Sequence, residues 1–210
     1  MHDTLDYYQR HAREFIAGTV GIDMSAHYRR FLEQLPSHAS ILDLGCGSGR
    51  DSRFFSELGH RVTAVDGSAE LCRQAEQVTG FPVRCILFEE LDYSDAFDGI
   101  WACASLLHVE KDKMRQVLDL VARAMKTGGI LYASYKYGSG NHTENGRFYS
   151  DYTESDIPTL FPESGALHCG NCENSGSCYV SGAVTRKRAY VRTAYNGNKT
   201  CTSTEASKNR

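Results

Sequence analysis

The sequence predicts an α/β fold, doubly wound around a mostly parallel sheet, on three observations. Residues 41–51, from Ile41-Leu42-Asp43-Leu44 to Gly49-Arg50-Asp51, run from an apolar strand into a glycine-rich turn. A helical pattern follows at once over Arg50 to Leu58, with Phe54, Phe55 and Leu58 on one face. Strand and helix patterns then alternate as far as Tyr135, as βαβ units do.

A strand, a glycine turn and a helix start together make a nucleotide- and anion-binding device. The glycines let backbone approach a ligand closely, and the helix N-terminus offers unpaired N–H groups. The glycines fall at 45, 47 and 49, whereas a dinucleotide fingerprint wants its third glycine at 50, where Arg50 stands. Asp43 lies in the strand just before the turn. Its carboxylate disfavours a pyrophosphate beside it and suits a ligand that carries positive charge. The bland alternative is a tight turn of any α/β protein.

The 210 residues suit one domain with a sizeable core. A net charge of −3 gives no general nucleic-acid affinity, which needs a basic face. No apolar run approaches a membrane span, and the N-terminus lacks a signal-peptide pattern, so a cytoplasmic protein without membrane or nucleic-acid partners is expected. Of the eight cysteines, Cys46, Cys72, Cys85 and Cys103 are scattered through core-like segments and read as thiols.

Residues 5–35 read as two helices around an interruption at 18–23, with Asp23-Met24-Ser25 able to cap the second. Tyr8 is either a packing residue or part of a helix lying across a site mouth. The second strand, Arg61 to Asp66, ends in a carboxylate about twenty residues after the turn, where it can accept both hydroxyls of a ribose; it can equally cap the next helix through Gly67 and Ser68. That helix covers Ser68 to Val78, and Phe81 to Phe88 gives a third strand with Phe88 and Glu89 at its C-terminal end. A fourth strand from Phe97 runs into the small residues Ala102 and Cys103 and on to Leu106-Leu107-His108; a lone histidine there is more often structural than catalytic. Lys111 to Met125 is an amphipathic helix, Gly128 is placed as its left-handed cap, and Ile130 to Tyr135 is the fifth strand.

The blocks ILDLGCGSGRD, VTAVDGS, FDGIWACASLLHV and MKTGGILYASYKYG, in this order and spacing, resemble those of class I S-adenosylmethionine-dependent methyltransferases, most of all the small stand-alone methyltransferase-domain and tellurite-resistance type. The resemblance implies a Rossmann-like seven-stranded sheet, S-adenosyl-L-methionine as cofactor, and a small-molecule methyl acceptor. It implies that Asp43, Gly45, Cys46, Gly47 and Gly49 hold the methionine part, Asp66 and Gly67 the ribose, Phe88 and Glu89 the adenine, and Ala102 and Cys103 the sulfonium side. The helix-ending block carries Thr127 where the family often has proline. The reaction it implies is in-line methyl transfer, in which the protein chiefly aligns reactants and excludes water. His108 is the candidate base by position and near-neutral pKa; Tyr8, Tyr135, Lys136 and Tyr137 are candidates for the acceptor pocket.

Residues 1–164 form the expected domain. Phe148 to Glu154 reads as a lead-in to the last helix, with Thr153 as its cap. Residues 165–210 turn rich in Gly, Asn, Ser and Thr and read as an atypical, poorly ordered or aberrant tail. The family's final antiparallel hairpin is doubtful, Cys178 to Val184 and Ala189 to Tyr195 being weak candidates, and the fifth strand would then be left at a sheet edge. One Cys-x-x-Cys at 169–172 is a weak zinc signal, so no metal is expected. The competing function is a non-catalytic or truncated cofactor-binding protein.

Overall fold

The computed structural model describes residues 2–153 and 155–160, and beyond them the strands at 167–169, 172–173, 177–178 and 187–194. The domain order matches the sequence pattern: α1 (His2–Thr19), α2 (Ser25–Leu32), β1 (Ser40–Leu44), α3 (Arg50–Glu57), β2 (Arg61–Asp66), α4 (Ala69–Thr79), β3 (Val83–Cys85), β4 (Phe97–Ala102), α5 (Lys111–Ala124) and β5 (Met125–Lys136). The strands line up as β3-β2-β1-β4-β5, all parallel. The order reverses at β1, between β2 and β4, so the C-terminal ends of these two strands flank a crevice.

Side-chain alternation along the strands builds a core on each face. Leu42 and Leu44 of β1, Ile100 and Ala102 of β4, and Leu131 and Ala133 of β5 pack with Met114, Val117, Leu118 and Val121 of α5. Ile41, Trp101, Ile130 and Tyr132, one residue out of phase, pack with Tyr28 and Phe31 of α2 and Phe55 of α3. Each Val, Leu, Ile, Phe or Met among them, removed from water, contributes about 1.5–3 kcal/mol.

Several elements differ from the sequence reading. The third strand is short because Phe88–Glu90 close a single 3-10 turn, in which Glu90 Oε2 accepts the Leu87 N–H at 2.8 Å. Gly128 is left-handed (φ 79°) but does not cap α5, whose chain is already extended at Met125. Phe148 does not lead into a helix. Arg147–Asp151 is a strand, β7, antiparallel to β6 (Gly140–Glu144), and Thr153 caps no long helix but donates through N–H and hydroxyl to Asp156 Oδ2. Asn145 and Gly146 take φ of 51° and 76° at the hairpin tip, the left-handed pair that tight two-residue turns require.

The fifth strand is not an edge. Lys187–Ala194 pairs with it in parallel, from Arg188 opposite Ile130 to Ala194 opposite Lys136, and Leu167–Cys169 lies outside that strand. An antiparallel partner for β5 is thus absent among the described residues. The remaining expectations for 165–210, including the side chains of Cys169 and Cys172, lie outside the described residues. No helix among the described residues is long and apolar enough to cross a membrane.

One buried carboxylate ties the α2–α3 face together. Asp51 Oδ1 accepts from Tyr28 Oη and Arg50 Nε, both at 2.5 Å, and Oδ2 accepts from Trp101 Nε1 at 2.7 Å. Trp101 itself stacks on Tyr132 with ring centroids 3.9 Å apart. Asp51→Ala should strand two buried donors and lower the urea-unfolding free energy by about 2–4 kcal/mol. Asp51→Asn, which keeps an acceptor, should lose less; equal losses for the two variants would show that the carboxylate's bonds matter little.

Candidate active site

The C-terminal ends of β1, β2, β3, β4 and β5 open into one cavity of about 560 Å³, a size suited to a cofactor and a small molecule. α1 roofs it. The helix is broken at His11 (φ −116°, ψ 23°), and Thr4, Leu5, Tyr8, Phe15 and Thr19 line the cavity, with Leu5 against Gly67 and Phe15 over Gly47. Hydrogen bonds along its length hold the roof down. Gln9 Oε1 accepts from Ser68 Oγ at 3.1 Å, Thr4 Oγ1 accepts from Phe148 N–H at 2.9 Å, and Thr19 O accepts from Arg50 Nη1 at 2.9 Å.

The glycine turn forms the cavity's first end. A Cβ on Gly45 (φ 78°) would overlap Ser105 Cβ, and one on Gly47 (φ 54°) would lie 3.0 Å from the Phe15 ring. Glycine is therefore demanded there by close approach as well as by conformation. Asp66 knits the turn to β2: Oδ2 accepts the Gly47 N–H and Oδ1 the Ser68 N–H, each at 2.9 Å. Both readings of this residue meet in one side chain, since it organises the turns and also lines the cavity. Burial pushes its pKa up, while the bonds from Ser68 and Gly47 pull it back.

The structure places the other expected residues unevenly. Gly45, Cys46, Gly47, Asp66, Gly67, Phe88, Cys103, Tyr8, His108, Tyr135 and Lys136 line the cavity; Asp43, Gly49, Glu89, Ala102 and Tyr137 do not. Asp43 is buried beneath the turn and accepts from Ser52 Oγ at 2.5 Å, with its pKa raised by burial and the nearby Asp51 carboxylate. It lies behind the turn and off the cavity wall. Gly49 faces α4, where a Cβ would meet Ala75 and Thr79 at 3.1 Å. Ala102 is wholly inside the core, and Tyr137 is exposed. Leu71, Ile86 and Leu87 join Phe88 on an apolar wall.

At the opposite end, His108 is 8% exposed and held from both sides. Its Nδ1 lies 2.6 Å from Phe148 O, a group that can only accept, which assigns the proton to Nδ1. Nε2 therefore carries the lone pair and accepts from the Tyr8 hydroxyl at 2.9 Å. Burial lowers the histidine's pKa to about 4, with Arg147 and Lys136 adding to the effect. Tyr8 is pushed up, again by burial first. Arg50, Ser105, Ser134, Arg147 and Tyr149 also line the cavity, and none was singled out as a ligand contact from the sequence. Asn145-Gly146 was the missed signal for Arg147 and Tyr149, because it fixes a hairpin that folds over the site.

Residues 41–129 match the family described as methyltransferase domain. The chain is 34% identical over 115 residues to the malonyl-[acyl-carrier protein] O-methyltransferase of Pectobacterium atrosepticum, covering 52% of this chain and 45% of that protein. It is 33% identical over 99 residues to the ubiquinone biosynthesis O-methyltransferase of Nitrobacter winogradskyi, covering 45% and 37%. Among solved structures it resembles the Burkholderia thailandensis 1,6-didemethyltoxoflavin-N1-methyltransferase with bound 1,6-didemethyltoxoflavin and S-adenosylhomocysteine, at 26% identity and a TM-score of 0.57 over 76% of this chain and 72% of the other. Residues 41–129 carry the methyltransferase domain, and the chain is similar to class I S-adenosylmethionine-dependent methyltransferases. A DhpI complex with S-adenosylhomocysteine, 24% identical with a TM-score of 0.60 over 76% of this chain and 86% of the other, shares the fold. The chain spans less than half the length of the curated relatives it matches.

The methyltransferase domain's His108 has a distinct pH signature. Its folded pKa, about 4, lies below the 6.5 of a free histidine, so the unfolded chain takes up a proton first as pH falls. Stability is full above pH 6.5 and is lost between about 6.5 and 4, by about 3 kcal/mol for a shift of this size. His108→Gln should flatten that part of the stability–pH curve measured by urea unfolding. An imidazole resonance titrating near 6.5 in the folded protein would contradict the assignment.

Proposed function

We propose that the protein transfers the methyl group of S-adenosylmethionine to a small-molecule acceptor by in-line displacement, as a cytoplasmic enzyme. The observation that carries this reading is a single roofed cavity with the Gly45–Gly47 turn and Asp66 at one end and the Tyr8–His108 pair at the other. The residues present fit the cofactor. Asp66 is an acceptor for ribose hydroxyls, and Phe88 with Leu71, Ile86 and Leu87 offers an apolar wall for the adenine. Bound there, the cofactor supplies an activated methyl group on a sulfonium.

The chain's own work is alignment, water exclusion and proton handling. α1 and the β6–β7 hairpin close the cavity from above, which removes water that would compete for the methyl group. Tyr8 Oη points its proton at His108 Nε2, and Phe148 O fixes the imidazole tautomer. An acceptor hydroxyl or amine reaching Tyr8 can pass its proton along this pair to Nε2; an acceptor that arrives as an anion needs no such step. The low pKa keeps Nε2 free of a proton at neutral pH.

Calorimetry should show binding of S-adenosylmethionine and S-adenosylhomocysteine and none of NAD. Asp66→Asn should weaken both by about 1–3 kcal/mol, the range for hydrogen bonds to a charged group. Transfer of a labelled methyl group to a panel of small acceptors tests turnover. Cofactor binding without transfer to any acceptor would return the non-catalytic reading, and tight NAD binding would overturn the proposal outright.

For a hydroxyl acceptor, Tyr8→Phe and His108→Ala should lower kcat by roughly a hundredfold or more, the usual range for a positioned base, and leave S-adenosylhomocysteine affinity unchanged. Equal losses of cofactor affinity in both variants would mark the pair as structural.

A further inference from the structure

Resting on the methyl-transfer reading, we infer that the acceptor carries a carboxylate, received by Arg147 and Lys136 at the roofed end of the cavity. Two cations converge there on one ring. Lys136 Nζ lies 3.7 Å from the centroid of Tyr149, and Arg147 Cζ lies 5.6 Å from the same centroid and 4.7 Å from that of Tyr7. Tyr149 is only 3% exposed, so it serves as a fixed platform for both. The ring attracts each cation, but the two like charges repel one another, and an anion seated between them relieves that repulsion.

The protein supplies that anion only in part. Glu144 Oε2 lies 3.0 Å from Lys136 Nζ, but the Glu144 side chain is 54% exposed and a pair in that setting is weak. Asp151 is engaged with His142 Nδ1 at 2.9 Å. Neither acid lines the cavity, whereas both cations do. Arg147 has no ion-pair partner among the described residues, and its Nε is buried without a hydrogen-bond partner there. The other cavity arginine, Arg50, is already committed to Asp51 and Thr19 O. The Arg147 guanidinium meets the Tyr8 hydroxyl but no carboxylate among the described residues, and on the cavity wall such a group selects a planar anion with two oxygens, to which it can present a two-pronged donor edge. The same end holds the Tyr8 hydroxyl, so a carboxylate anchored on Arg147 would fix the orientation of the rest of the molecule with respect to the proton-accepting pair.

Binding to the full-length protein saturated with S-adenosylhomocysteine tests this directly. The probes are 4-hydroxybenzoate, its uncharged methyl ester, and phenyl phosphate, followed by calorimetry. The expected result is binding of 4-hydroxybenzoate at least tenfold tighter than of the ester, with the difference abolished in Arg147→Met, reduced in Lys136→Met and partly kept in Arg147→Lys. S-adenosylhomocysteine affinity, unchanged in each variant, verifies that the fold and the cofactor end are intact; its absence in the wild type would instead count against the methyl-transfer reading. Equal binding of acid and ester, no binding of either, or a carboxylate preference that survives Arg147→Met would overturn the inference. Preference for phenyl phosphate over the benzoate would overturn the carboxylate assignment.

Discussion

The geometry of the cavity depends on one carboxylate with two backbone donors. Asp66 closes β2 and takes the N–H of Gly47 on one oxygen and that of Ser68 on the other. A single buried side chain thereby fixes the turn after β1 to the turn after β2. A carboxylate is expensive to bury, and the two charge-assisted bonds are what make the burial tolerable. Ser105 performs the matching task on the β4 side, donating from Oγ to Leu44 O at 2.6 Å while its Cβ occupies the space a side chain on Gly45 would need. Three strand ends are locked together in this way, and the cavity floor is the consequence. Ala104, between Cys103 and Ser105, takes the left-handed φ of 50° to make that junction, and its N–H donates to Ser134 Oγ at 2.7 Å. The backbone is thus strained where ligand meets sheet, as at many functional sites.

From that floor upward the protein is asymmetric. The glycine end is rigid, built from backbone, and its charges are satisfied internally: Asp66 by N–H groups, Arg50 by Asp51 and Thr19 O. The opposite end is built from long side chains on α1, the end of β5 and the β6–β7 hairpin. A cofactor of fixed shape suits the first kind of surface, and a family of related domains that methylate different molecules suits variation in the second. The roof touches both, since Phe15 packs over Gly47 while Tyr8 reaches His108, so the ordering of α1 couples the two ends.

How much of this was legible in the sequence follows the same division. The order of strands and helices along the chain and the glycine turn were readable because they rest on local signals: apolar runs, glycine where φ is positive, and an aspartate at a strand end. Asp43 lies under the floor and off the cavity lining, a burial its charge does not signal: a strand residue pointing away from the crevice can sit one position from it in sequence. Glu89 and Ala102 also lie off the lining, Ala102 because strand side chains alternate and Glu89 because the 3-10 turn at Phe88–Glu90 points it elsewhere. The hairpin was missed although Asn145-Gly146 announces it, because the apolar run after it was read as a helix start. With it went Arg147 and Tyr149. The strand at Lys187–Ala194 overlaps the weak candidate at Ala189 to Tyr195, but its parallel pairing with β5 had no local signal, since pairing across more than fifty residues is decided by which edge is open.

The electrostatics of the roofed end link its two roles. His108 is held well below an ordinary histidine pKa by burial first and by the Arg147 and Lys136 charges after it. An imidazole so depressed is reliably unprotonated but a weak proton acceptor. An anion seated against the two cations would cancel their contribution and leave burial as the remaining cause, raising the basicity of Nε2 at the moment an acceptor is present. The same charges that would hold the acceptor would then also set when the Tyr8–His108 pair can accept a proton, and an empty cavity would keep the base in its least reactive state. Proton acceptance and substrate binding are joined by nothing more than two cations around the Tyr149 ring.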